Sequence, residues 1–68
     1  MHIYRYATLM RPPGPGAVPR KGLVSTEGQH TTTPTGRFAW GVADYNRELN
    51  QEEVDDYELE FVEEIDAD

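Results

Sequence analysis

Alternation of polar and apolar positions is the strongest structural pattern in this chain, and it occurs in three separate stretches. Residues 1–10 and 38–46 alternate through aromatic, β-branched and small side chains, and residues 58–65 alternate apolar positions with glutamates. A period of two residues is typical of β-strands, in which successive side chains point to opposite faces of a sheet. The pattern therefore predicts three main strands, at 1–10, 38–46 and 58–65.

A short helix is predicted between the second and third strands. Asn50 can cap its first turn, and Glu53, three residues later, can return a hydrogen bond to complete a capping box. Leu49 and Val54 flank this cap at the spacing of a hydrophobic staple. We expect the helix to occupy residues 51–57.

A long connection separates the first two strands. Residues 11–37 contain all five prolines and most of the glycines. Proline has no backbone N–H and restricts the residue before it, so helix and ladder pairing are both disfavoured here. We expect a Pro/Gly-rich loop over 11–37, with a possible short strand at 22–26.

Together these elements predict one small domain of the α+β class over residues 1–68. It would consist of an antiparallel sheet of three main strands, one short helix and the long Pro/Gly-rich loop. A chain of this length buries only about 60% of its unfolded surface, so large aromatic side chains must supply much of the core. We expect Trp40 to anchor that core. Ala39, Gly41 and Ala43 form the opposite face of its strand, and such small residues would let the helix pack closely.

Charge is distributed unevenly. The chain carries a net charge of −7. Residues 1–37 hold five cations against one acid, a net of +4, whereas residues 38–68 hold one cation against twelve acids, a net of −11. The acidic half can be a solvated face, a docking surface for a basic partner, or a mimic of duplex DNA. The third strand supports the last reading, because alternate residues place carboxylates roughly 7 Å apart.

Candidate chemistry is sparse. There are no cysteines, which excludes disulfides and thiolate metal sites, and His2 and His30 are distant in the sequence. Asp44 and Glu60 are the best carboxylate pair for acid–base work, but no sequence feature brings them together. A monomer of this size also has little material from which to build a substrate pocket. We predict no catalytic residues, no metal, no cofactor and no enzymatic activity.

The basic proline-rich segment and the neighbouring tyrosines are the best candidates for an interaction surface. Aromatic and arginine side chains commonly anchor interfaces, and a loop stiffened by proline loses little entropy on binding. The residues of this surface are Tyr4, Tyr6, Arg11, Arg20 and Lys21. The three cations can instead fold back onto Glu58, Glu60 or Glu63 as an internal clamp, which is the arrangement we favour.

Several segments resemble a group of short uncharacterised proteins encoded by gut Firmicutes, often on integrative or conjugative elements. The resemblance covers most of the chain, and the matching segments are residues 3–6, 10–13, 15–17, 19–23, 40–41 and 45–49. The group brings no established activity, cofactor or site residue. It does imply a bacterial cytoplasm and the biology of mobile elements.

The favoured function is a non-enzymatic protein-interaction or accessory module of a bacterial mobile element. We expect another protein as its partner, no direct contact with nucleic acid, because like charges repel, and no association with membranes. No apolar run approaches the roughly 20 residues of a membrane span. The alternative is an acidic inhibitor that mimics DNA and occupies a nucleic-acid-binding protein. A homodimer is compatible with either function.

Overall fold

The computed structural model describes residues 2–66 of the chain. Within that range lie six strands and one helix. They are β1 (His2–Thr8), β2 (Leu23–Glu27), β3 (Thr31–Thr32), β4 (Phe38–Ala39), β5 (Gly41–Tyr45), α1 (Gln51–Asp56) and β6 (Leu59–Asp66). The larger sheet is antiparallel with the strand order β2-β5-β1-β6, and β3 and β4 form a separate antiparallel pair. Met1, the first residue of the predicted strand 1–10, lies outside the described residues.

The predicted α+β class is wrong, because the described chain is mostly β. Part of the segment expected to be a loop pairs instead: β2 adds a fourth strand to the main sheet, and β3 pairs with β4. The possible short strand at 22–26 lies at the position of β2, whereas no strand was expected at β3, which has only two residues. The helix has only six residues, and none of them is fully buried.

The predicted strand over 38–46 is interrupted at Trp40. The Trp40 N–H donates to the carbonyl of Thr8 at 2.8 Å, and this connection separates β4, which pairs with β3, from β5, which joins the main sheet. The Trp40 side chain is only partly buried and is not in the core cluster, so the expectation that it anchors the core is wrong.

Two tyrosines take the central place in the core. Tyr6 on β1 and Tyr45 on β5 are the two largest fully buried side chains among the described residues, and their rings meet edge to face at 6.0 Å. Both hydroxyl groups are satisfied: Tyr45 donates to the carbonyl of Pro19, and Tyr6 accepts from the backbone N–H of Leu49 at 2.9 Å. The core cluster comprises Tyr6, Val18, Ala43, Tyr45, Leu49 and Leu59.

The small face of β5 receives the proline-rich loop. A Cβ atom on Gly41 would lie 2.8 Å from the ring of Pro13 and would collide with the carbonyl oxygen of Glu27. Glycine is therefore required for the close approach of two backbone segments. Val54 of the helix also packs against the core cluster, so the loop and the helix cover the sheet together.

The capping box predicted at the helix start is confirmed. The Asn50 side chain accepts from the Glu53 N–H at 2.8 Å, and the Glu53 carboxylate accepts from the Asn50 N–H at 3.1 Å. The helix ends at Asp56, with Tyr57 as its C-cap. Glu58 follows with a φ of 54°, a left-handed conformation that reverses the chain into β6.

Candidate functional site

The five residues of the predicted interaction surface do not lie together on the surface. Tyr6 is 2% exposed and Tyr4 packs against the core cluster, so the two rings serve mainly the interior. Arg20 is exposed at the edge of a pocket beside the proline-rich loop. Lys21 is also exposed, and its carbonyl accepts from Arg47 at 2.9 Å.

One contact of the expected internal clamp is present. The Arg11 guanidinium lies 3.3 Å from the Glu58 carboxylate. Arg20 and Lys21 form no ion pair with another side chain in the range 2–66, and the other expected partners bind different arginines. The pairs are Glu60 with Arg37 at 2.9 Å and Glu63 with Arg5 at 3.4 Å. The clamp therefore reduces to a single exposed pair, and such a pair contributes little to stability.

Asp44 and Glu60 do not form a catalytic pair. Asp44 accepts two hydrogen bonds from Arg5, at 2.8 and 3.0 Å, and these bonds raise the pKa of Arg5. Burial by itself would raise the pKa of Glu60, but hydrogen bonds from Thr35, Thr33 and Arg37 outweigh it and lower that pKa. Glu60 remains ionised at neutral pH and holds the segment before β4 against β6.

An exposed aromatic cluster is formed by His30, Phe38 and Trp40. The three rings meet edge to face, with centroid separations of 5.1 to 5.4 Å. Phe38 is 53% exposed, which is high for a ring of this size. Aromatic side chains in such positions are common anchors of protein interfaces.

A groove runs from this cluster along the helix. Two clefts, of about 440 and 410 Å³, adjoin along this groove and share the lining residues Arg37, Val54, Asp55 and Leu59. The apolar residues that line them are Leu9, Met10, Phe38, Val54, Leu59 and Phe61. Met10 is 60% exposed and Phe61 46% exposed, so with Phe38 this groove holds three of the five large apolar side chains exposed in the described region.

The charged residues of this groove are mostly acidic. Glu48, Asp55 and Glu58 line its sides, and its one cation, Arg37, is paired with Glu60. We call this feature, with its apolar floor and acidic sides, the acid-walled groove.

Sequence reasoning missed the members of the acid-walled groove. Alternation assigns Phe38 and Phe61 to inward faces of their strands. In the folded chain both side chains remain about half exposed, because the neighbouring elements cover them only in part. Met10 offered a weak signal, because it is the last residue of the first predicted strand and lies two residues before the first proline. Pattern alone does not show that these three side chains meet.

Comparison with protein-family models gives one match, over residues 1–64, to the family described as Defence against restriction A C-terminal. The chain belongs to this family. The family is a bacterial domain associated with defence and mobile elements, so the predicted setting is confirmed at that level. The match does not support the narrower assignment to gut Firmicutes.

No curated protein and no solved structure matches the chain. The part of the chain that the structure describes contains no helix with the length and hydrophobicity needed to cross a bilayer.

Proposed function

We propose that this domain is a non-enzymatic protein-binding module, an accessory in anti-restriction or mobile-element biology, and that its partner protein docks in the acid-walled groove. The observation that carries the proposal is that Met10, Phe38 and Phe61, all about half exposed, line two adjoining clefts that together form the groove. Clustered exposed apolar residues with a polar rim are typical of protein interaction sites. On this proposal the domain acts in the bacterial cytoplasm and needs no direct contact with nucleic acid.

The acidic DNA mimic is the weaker candidate. Family membership and the net charge of −7 favour it, but the carboxylates of the third predicted strand are not free. Within the described residues, Glu58, Glu60, Glu63 and Glu64 each lie within 4 Å of a basic side chain. Pairing of Glu58, Glu60 and Glu63 with arginine removes much of the negative potential that a phosphate row would present.

Affinity capture from bacterial cells that carry an active restriction–modification system tests the proposal. The variant Met10→Ser/Phe38→Ser removes two apolar anchors from the groove. Val24→Ser is the matched control, because Val24 is 50% exposed on β2 and lies outside the groove. We expect a partner that co-purifies with the wild type and Val24→Ser and is lost from the double variant.

Circular dichroism and thermal melting establish that both variants remain folded. Equal recovery of the same partners by wild type and double variant would refute docking in the groove. Displacement of duplex DNA from a restriction enzyme by the domain would favour the mimic instead.

A further inference from the structure

The acid-walled groove has a pronounced charge asymmetry. Each nearby cation is already engaged: Arg37 with Glu60 at 2.9 Å, and Arg11 with Glu58 at 3.3 Å. Helix α1, which forms one side, has acids in its first turn and no basic residue in its last turn. An apolar ligand entering the groove would therefore meet a negative rim.

The side chains along the helix strengthen this rim. Asp55 lines both cavities, and Glu48 lines the end of the groove near Phe61. Neither forms an ion pair within residues 2–66, although Asp55 accepts a hydrogen bond from Gln51 at 2.9 Å. Two uncompensated carboxylates thus lie along an apolar floor.

We propose that the acid-walled groove binds a basic amphipathic helix of a partner protein. The apolar face of that helix would cover Met10, Phe38 and Phe61, and its lysines or arginines would lie beside Glu48 and Asp55. This is the helix-in-groove mode, in which apolar side chains at helical spacing serve as anchors. The inference deepens the proposed function and rests on it, since it names the chemistry of the partner at the same groove.

Charge complementarity selects this occupant over others. Nucleic acid and acidic segments would be repelled by the rim. A second copy of the chain is a poor occupant, because the helix described here, α1, carries four acids and no cation. A neutral apolar segment would fill the floor and leave Glu48 and Asp55 without partners.

Three synthetic peptides of about 15 residues, near the shortest length for a stable isolated helix, provide the test. The first carries leucines at helical spacing on one face and lysines on the other. The second replaces every lysine by glutamate, and the third scrambles the first so that no apolar face remains. Fluorescence anisotropy of labelled peptides measures binding to the intact domain.

We expect the basic amphipathic peptide to bind at least tenfold more tightly than the other two, and its affinity to fall as salt is raised. The variant Glu48→Gln/Asp55→Asn should weaken that binding about three- to tenfold, from two exposed charge pairs. Glu27→Gln/Glu64→Gln removes the same two charges outside the groove and should change binding less than twofold.

Three results would overturn the inference. The glutamate peptide could bind as well as the lysine peptide, both charge variants could weaken binding equally, or no peptide could compete with the captured partner. In each case loss of that partner from Met10→Ser/Phe38→Ser would still support a protein-binding groove. Retention of the partner by that variant would refute the proposed function separately.

Discussion

The Glu53 carboxylate has two roles: it completes the helix cap, and it forms an ion pair. Its carboxylate accepts two hydrogen bonds from Arg47, at 2.7 and 2.8 Å, and a third from the Asn50 N–H at 3.1 Å. These bonds, led by those from Arg47, lower the pKa of Glu53 from an ordinary 4.5 to about 2. The ionised form is therefore the one that the folded state prefers.

Acid should remove this stabilisation over a defined pH range. Because the pKa is lower in the folded state, the contribution is complete above about pH 4.5 and disappears as the pH falls toward 2. Glu53→Gln keeps a side chain that can complete the capping box but loses the charge. We expect the melting temperature of wild type to exceed that of the variant at pH 6 and the two to converge near pH 2. Parallel curves across this range would contradict the assignment.

Glu58 illustrates conformational strain at a single residue. Its φ of 54° lies in the left-handed region, which costs a residue with a Cβ atom about 1 kcal/mol. Glu58→Gly and Glu58→Ala both remove the ion pair with Arg11, but only glycine relieves the strain. We expect Glu58→Gly to be more stable than Glu58→Ala by about 1 kcal/mol in urea unfolding. Equal stabilities would indicate that the backbone relaxes there.

At the scale of elements, the contact between the proline-rich loop and β5 depends on a missing side chain. Gly41→Ala would force its Cβ against the ring of Pro13 and the backbone of Glu27. We expect the free energy of unfolding to fall by about 1–3 kcal/mol, the usual cost of overpacking. Gly14→Ala, in the same loop, has no neighbouring atom within 4 Å and serves as the control. A similar loss of stability in both variants would show that the close contact at Gly41 is not its cause.

The local elements differ in how far the sequence predicts them. The capping box was predicted because its hydrogen bonds join residues three apart, and their geometry depends on little beyond the local chain. β2 was at best a possible strand, since all its side chains are exposed and no alternation marks it. Its place at the sheet edge depends on pairing with β5, which lies far along the sequence.

At the scale of the whole molecule, two buried tyrosine hydroxyls attach connecting segments to the sheet. Tyr45 holds the proline-rich loop through Pro19, and Tyr6 holds the segment before the helix through Leu49. Burial raises the pKa of both phenols, so they remain protonated at neutral pH. The fold thus uses its largest core residues for polar attachment as well as for packing.

Removing either hydroxyl should destabilise the whole domain. Tyr45→Phe leaves a buried carbonyl without its donor, and Tyr6→Phe leaves an N–H without its acceptor, each at about 1–3 kcal/mol. Tyr57→Phe is the control, because its half-buried ring has no hydroxyl hydrogen bond in the described part of the chain, and we expect a change below about 0.5 kcal/mol. Equal changes in all three variants would show that the hydroxyl contacts contribute nothing specific.

The sequence by itself determined what depends on near neighbours: the capped helix start, the alternating positions of the longer strands and the concentration of acids in the second half. Tertiary structure alone decided which side chains are covered. The sequence assigned Tyr6 to a surface, but its side chain is buried. It assigned Phe38 and Phe61 to the interior, but both are about half exposed. The physical reason is that alternation assigns a residue to one of two faces, but packing against distant segments decides which part of each face remains open.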